Sequence, residues 1–89
     1  MTKRQDMNGM DELTRRAMAA YFRSGAEGPV PESGHSGTER YEGLEYVVLR
    51  GGTGPRLLAV YRIQPRGQLK RLTMKRLPGA LAREKELQE

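Results

Sequence analysis

The chain has 89 residues, no cysteine, and sixteen Lys/Arg against eleven Asp/Glu, for a net charge of +5. That length bounds it to one domain burying about 60% of its unfolded surface, and the lack of thiols excludes disulfides and thiolate metal sites. The longest apolar runs, residues 17–22 and 57–61, fall far short of the ~20 residues of a membrane span, so the expectation is a soluble cytoplasmic protein.

Residues 1–7 read as a flexible N-terminus, and residues 1–10 contain no apolar stretch of the kind a signal peptide needs. Residues 8–24 predict a helix. Asn8 can cap it, with Asp11 three residues on as a weak capping box near the positive end of the helix dipole. Met10, Leu13, Ala17, Ala20 and Tyr21 follow the spacing of one helical face, while Arg15, Arg16 and Arg23 fall mostly on the others. Gly25 is placed to end the helix in the left-handed conformation.

Residues 25–40 are rich in Gly, Pro, Ser and Glu, with Val30 as their one large apolar side chain. Such a segment buries too little to offset its ordering entropy and reads as a mobile linker or long loop. His35, the only histidine, has no partner near it in sequence and is read as a solvated loop residue.

The remainder, residues 41–89, is expected to hold a β-meander and a short C-terminal helix of the same domain. Residues 44–50 and 56–63 have the β-branched and aromatic content of strands, with turn chemistry between them. The run Gln64-Pro65-Arg66-Gly67 orders its residues as a type I turn followed by a left-handed glycine and a bulge. Residues 69–74 then form a third strand, with Ile63 opposite Leu69, Arg62 opposite Lys70, Tyr61 opposite Arg71 and Val60 opposite Leu72. One face collects Leu57, Ala59, Tyr61, Ile63 and Leu69, and the helix covers it. A two-residue turn at Gly52-Thr53 adds Leu44, Tyr46 and Val48 to that face, leaving Val47, Leu58, Val60 and Leu72 on the other. At the C-terminus, Pro78 suits a first helical position, and Leu77, Leu81 and Leu87 are available to meet the sheet. The predicted fold is thus α+β: an N-terminal helix on a three-stranded antiparallel meander, with a short C-terminal helix.

The charge is unevenly divided. Residues 1–45 carry six Lys/Arg and eight Asp/Glu, net −2. Residues 46–83 carry nine basic residues (Arg50, Arg56, Arg62, Arg66, Lys70, Arg71, Lys75, Arg76, Arg83) and no acid. Residues 84–89 hold one Lys and three Glu, net −2. Arg62 opposite Lys70 is a like-charge cross-strand pair, unfavourable by ~0.2–1 kcal/mol. A surface shaped only for solubility mixes both signs. The asymmetry points instead to a polyanion, and Lys/Arg on a hairpin gain affinity for phosphates by releasing counterions. The candidate nucleic-acid-binding residues are Arg56, Arg62, Arg66, Lys70, Arg71, Lys75 and Arg76, on DNA or RNA. A two-stranded β-ribbon also fits a major groove, bringing Arg62, Arg66 and Lys70 near phosphates or guanine edges. No zinc-finger spacing occurs, and a loop follows the first helix where helix-turn-helix needs a second one. Tyr46 and Tyr61, the only aromatics on the central strands, are read as core.

Two other classes compete with an accessory or regulatory nucleic-acid binder. The second sheet face, apolar in its middle and basic at its rim, suits a protein-binding module, such as a small inhibitor or accessory subunit, or a homodimer. The outline of a helix followed by a basic antiparallel sheet also resembles small bacterial ribonuclease toxins, some of which cleave RNA without a metal. That resemblance implies proton-transfer and charge-stabilising roles for Tyr61, Arg62, Lys70 and Arg71, and it is one of outline, with no shared motif. Glu39, Glu42 and Glu45 match no known metal site, and no Ser/His/Asp set, phosphate loop or HExxH motif is present. The expectation is therefore no enzyme, no cofactor, no metal and no membrane.

Overall fold

A computed structural model describes residues 11–88. Residues 1–10, with the predicted flexible terminus, the Asn8 cap and Met10, lie outside the described residues, as does Glu89. The fold is α+β, with an antiparallel sheet of four strands where three were expected. In chain order come helix α1 (Glu12–Arg23), strands β1 (Gly37–Tyr41), β2 (Leu44–Gly51), β3 (Arg56–Ile63) and β4 (Leu69–Arg71), and helix α2 (Gly79–Leu87). The strands are neighbours in sequence order, β1-β2-β3-β4.

Helix α1 starts three residues later than the sequence suggested. Asp11 is its N-cap, in extended backbone, and its carboxylate accepts the Thr14 N–H at 2.7 Å. That bond satisfies an otherwise orphaned donor at the helix start. The helix ends at the expected place, with Ser24 as C-cap and Gly25 at φ 78°.

The additional strand comes from the end of the segment read as a linker. Residues 37–41 pair with β2, Glu39 opposite Tyr46 and Tyr41 opposite Leu44. The connection is a two-residue turn, Glu42 and Gly43, both with positive φ (54° and 82°). That is the type I′ hairpin geometry whose twist matches that of the strands it joins. Upstream, Pro31 bridges Gly51, the Glu32 N–H donates to the Arg50 carbonyl, and Ser36 Oγ both accepts from and donates to the Arg50 backbone.

The β3–β4 hairpin has the expected register: Ile63–Leu69, Arg62–Lys70 and Tyr61–Arg71 are paired, and the Leu72 N–H donates to the Val60 carbonyl. Its turn closes through Gly67 N–H to the Gln64 carbonyl and Gln64 N–H to the Gln68 carbonyl, with Gly67 at φ 81°. A side chain is unfavourable in that left-handed conformation, so the glycine fixes the turn.

The β2–β3 pairing differs from expectation, and the faces change with it. Four residues, Gly52 to Pro55, separate Gly51 from its partner Arg56, a shift of two from the expected turn, and an extra β3 residue opposite Leu49 and Arg50 makes the shift odd, so Val47 faces Tyr61 and Leu49 faces Ala59. An odd slip in register turns each side chain of a strand to the opposite face. Val47 and Leu49 therefore join Ala17, Met18, Tyr21, Ala59 and Tyr61 in the core beneath α1, and Tyr46 and Val48 lie on the other face. A bulge between Leu49 and Arg50 leaves two β3 residues in the place of one. It moves Leu57 to the second face and leaves Leu58 against the α1 core.

That second face has its own core of Tyr46, Val48, Leu57, Val60 and the fully buried Leu81 of α2. Leu77 packs against it as expected, whereas Leu87 is 83% exposed. Pro78 stands one position before the helix, as its N-cap.

Candidate nucleic-acid interface

Helix α2 covers only part of the second face, and the two parts treat their arginines differently. At the covered end, Arg50 follows Tyr46 and Val48 onto this face and reaches between β1 and α2. Its Nη1 and Nη2 donate to Glu39 at 2.6 and 3.3 Å, and its Nε and Nη2 donate to Glu84 at 2.8 and 2.9 Å. Two parallel bonds to each carboxylate use the planar guanidinium as a fork on both sides. Tyr41 adds a short hydrogen bond from its hydroxyl to Glu39. Burial alone raises the Glu39 carboxyl, but the hydrogen bonds from Arg50 and Tyr41 and the charge of Arg50 outweigh it and hold Glu39 below its ordinary value. Burial, and then Glu39, push the Tyr41 hydroxyl up. The Arg50 guanidinium is held further above its usual range by Glu84 and Glu39.

At the uncovered end the same face carries Arg62 and Lys70, side by side on β3 and β4. After β4, a 3-10 turn (Met74–Arg76), closed by Arg76 N–H to the Thr73 carbonyl, brings Arg76 to the same place. Arg62, Lys70 and Arg76 border a concavity of about 460 Å³ with Tyr46, Leu72 and Thr73 in its lining. No carboxylate lines it. Among the described residues, Arg62, Lys70 and Arg76 form no ion pair. Arg62 also borders a second, more open hollow between the two hairpin turns, but Glu45 lines that one.

Arg71 also borders the first concavity, with its guanidinium over the Tyr21 and Tyr61 rings, 5.5 and 5.9 Å from their centroids. Such a stack is favourable by about 0.5–1 kcal/mol at an exposed site. Arg16 and Arg23 of α1 line a further hollow with Leu69, so cations flank β4 on the helix side as well. Sequence reasoning missed these two. Their signal was their place on the margin of the α1 apolar face.

The other predicted residues are spread more widely. Arg66 is exposed at the hairpin tip, and Lys75 is exposed beside Arg76. Arg56 stands at the opposite end of β3, where it donates to the Gln88 carbonyl at 2.7 Å. The ribbon expected to enter a major groove is not free-standing: β3 is paired on both sides, and α1 packs against Ile63 and Leu69. The four residues read against ribonuclease toxins divide between the faces, with Tyr61 buried beside Arg71 under α1 and Arg62 beside Lys70 on the other side. Burial pushes the Tyr61 hydroxyl up, away from use as a base. Tyr46 and Tyr61 are both core residues. His35 is exposed, its Nε2 3.7 Å from Glu32. Among the described residues, no three His, Cys, Asp or Glu side chains cluster to hold a metal, and no helix is long and apolar enough to cross a membrane. Comparison with protein-family models, with curated proteins and with solved structures yields no match for this chain.

Proposed function

We propose that this protein binds nucleic acid through its phosphates, in an accessory or regulatory role without catalysis, using the cationic surface around β4. The observation that carries this reading is the meeting of Arg62, Lys70 and Arg76 at one concavity that no carboxylate lines. Arg62 and Lys70 repel each other across the hairpin, and an anionic guest relieves that repulsion. Arg71, Arg66 and Lys75 extend the surface around the strand and its turn. Arg56, held at the far end of β3, is a peripheral contributor.

The rival readings have less support. Leu81 occupies the apolar middle of the second face, which a protein partner or second copy would otherwise cover. The ribonuclease reading asks four side chains from two faces to act together.

The test is a titration of labelled RNA and DNA over a salt series. Four phosphate contacts on a single strand give a slope of about −3 in log K against log[salt]. Lys70→Gln and Arg76→Gln should each reduce the slope by about 1 on duplex, or slightly less on a single strand. Undetectable binding at about 50 mM salt overturns the proposal. Competition by polyglutamate as effective as that by RNA would replace nucleic acid with an acidic protein as the partner.

A further inference from the structure

We infer that the concavity beside Arg62 receives one unstacked nucleotide of a single-stranded nucleic acid, its base on the Leu72 and Tyr46 wall and its phosphates on the cationic rim. This rests on the phosphate-binding reading above and adds the form of the ligand.

Three features favour a single strand over a duplex. The first is how the hairpin is held. A β-ribbon reads a duplex by entering its major groove, which admits two strands. Here β2 occupies one edge of the ribbon and α1 packs on one face, so only residues 64–67 project. The second is shape. The site is concave, and its 460 Å³ falls within the ~300–1,000 Å³ typical of pockets that enclose small ligands. A base inside a duplex stack cannot enter such a hollow, whereas a base splayed from a single strand can.

The third feature is the lining. Leu72 is only part-buried, and Tyr46, a core residue, lines the hollow beside it. Phosphates alone have no use for such a wall, but the face of a base does. Arg62 is part-buried at its side, where its planar guanidinium can stack on a base and still neutralise the adjoining phosphate. Arg76 and Lys70 then stand at the rim for the flanking phosphates. The Thr73 hydroxyl, in the same lining, can donate to or accept from the sugar or the base edge.

The experiment needs no altered protein. Three labelled ligands are titrated into the full chain at one low salt concentration: a mixed-sequence single strand, a strand of the same length and charge with abasic sites throughout, and the corresponding duplex. The single strand should bind about tenfold more tightly than the abasic strand, within the range that base stacking on a protein surface supplies. It should also bind more tightly than the duplex. Equal binding of the single and abasic strands, with the salt slope retained, overturns the nucleotide seat and leaves the phosphate reading standing. Tighter binding of the duplex likewise overturns the single-strand assignment alone. Absence of binding to all three overturns both.

Discussion

Arg50 and Arg62 lie on the same sheet face, on adjacent central strands, yet their surroundings are opposite. Arg50 is 19% exposed at its side chain and gripped by two carboxylates, one from β1 and one from α2. Arg62 faces another cation, Lys70, and no acid lines the concavity that these two share with Arg76. Where α2 closes the face, charge is matched within the chain. Where α2 ends, charge is left without a carboxylate among the described residues. A charge enclosed between two elements needs a partner because desolvation penalises it, while a charge at the wall of an open hollow keeps contact with water and can remain unmatched at small cost. The basic residues of the C-terminal half thus stand in two different settings, and residue type alone does not tell them apart.

The contrast can be broken most severely at Leu81. Leu81→Ala should destabilise the fold by about 3 kcal/mol, since it deletes a fully buried side chain that joins α2 to the sheet. The drop in urea midpoint measures it, and a loss under ~1 kcal/mol would mean that α2 is not what closes this half.

Next in size is the clamp. Arg50→Met should lower stability by about 2 kcal/mol, because hydrogen bonds to charged groups are lost and two carboxylates are left facing each other without a cation. Chemical denaturation near pH 7 is the measurement, and Arg62→Met offers the control at the open end, where little change is expected.

The pH dependence sharpens the same point. Glu39 has its carboxyl held below the ordinary value when folded, burial being outweighed by the hydrogen bonds of Arg50 and Tyr41. The unfolded chain therefore takes up the proton first on acidification, so this pairing stabilises the fold above the usual carboxylate range. That contribution disappears as the pH falls through the lowered folded value. Melting temperatures at pH 7 and pH 3 should separate more for the natural chain than for Arg50→Met. Equal separations would show that Glu39 gains nothing from its cation.

The smallest effect has the opposite sign. Arg62→Glu converts a like-charge pair with Lys70 into an attractive one and should raise stability by ~0.2–1 kcal/mol. The same change should weaken nucleic-acid binding. A variant that is less stable would show that the Arg62 stem is part of the packing and not only a carrier of charge.

Several of these elements could be read from the sequence because their causes are local. The turn at residues 64–67 carries its own instructions in Pro65 and Gly67, and it fixed the partners of three β3 residues. Helix α1 was legible from its apolar spacing, although Asp11 and not Asn8 proved to be the cap. Strand β1 was harder to see. It buries little, its neighbours are Gly, Pro and Ser, and its one available signal was Glu42-Gly43, a turn pair between Tyr41 and Leu44. The first hairpin was misassigned because two-residue and four-residue turns at residues 52–55 fit the sequence equally well, and because the bulge that makes the slip odd and exchanges the faces of β2 falls at Leu58, where no Gly or Pro announces it.

The chain alone established the α+β class, two terminal helices, the second hairpin's register and a block of cations without acids. These follow from turn chemistry, periodicity and charge counts, which act over a few residues. Which cations stay unmatched was decided only in three dimensions. Glu39 and Glu84, 11 and 34 residues from Arg50, reach it because β1 pairs beside β2 and Leu81 holds α2 on the same face. Their meeting is a consequence of packing, and packing sums over contacts between residues far apart in the chain.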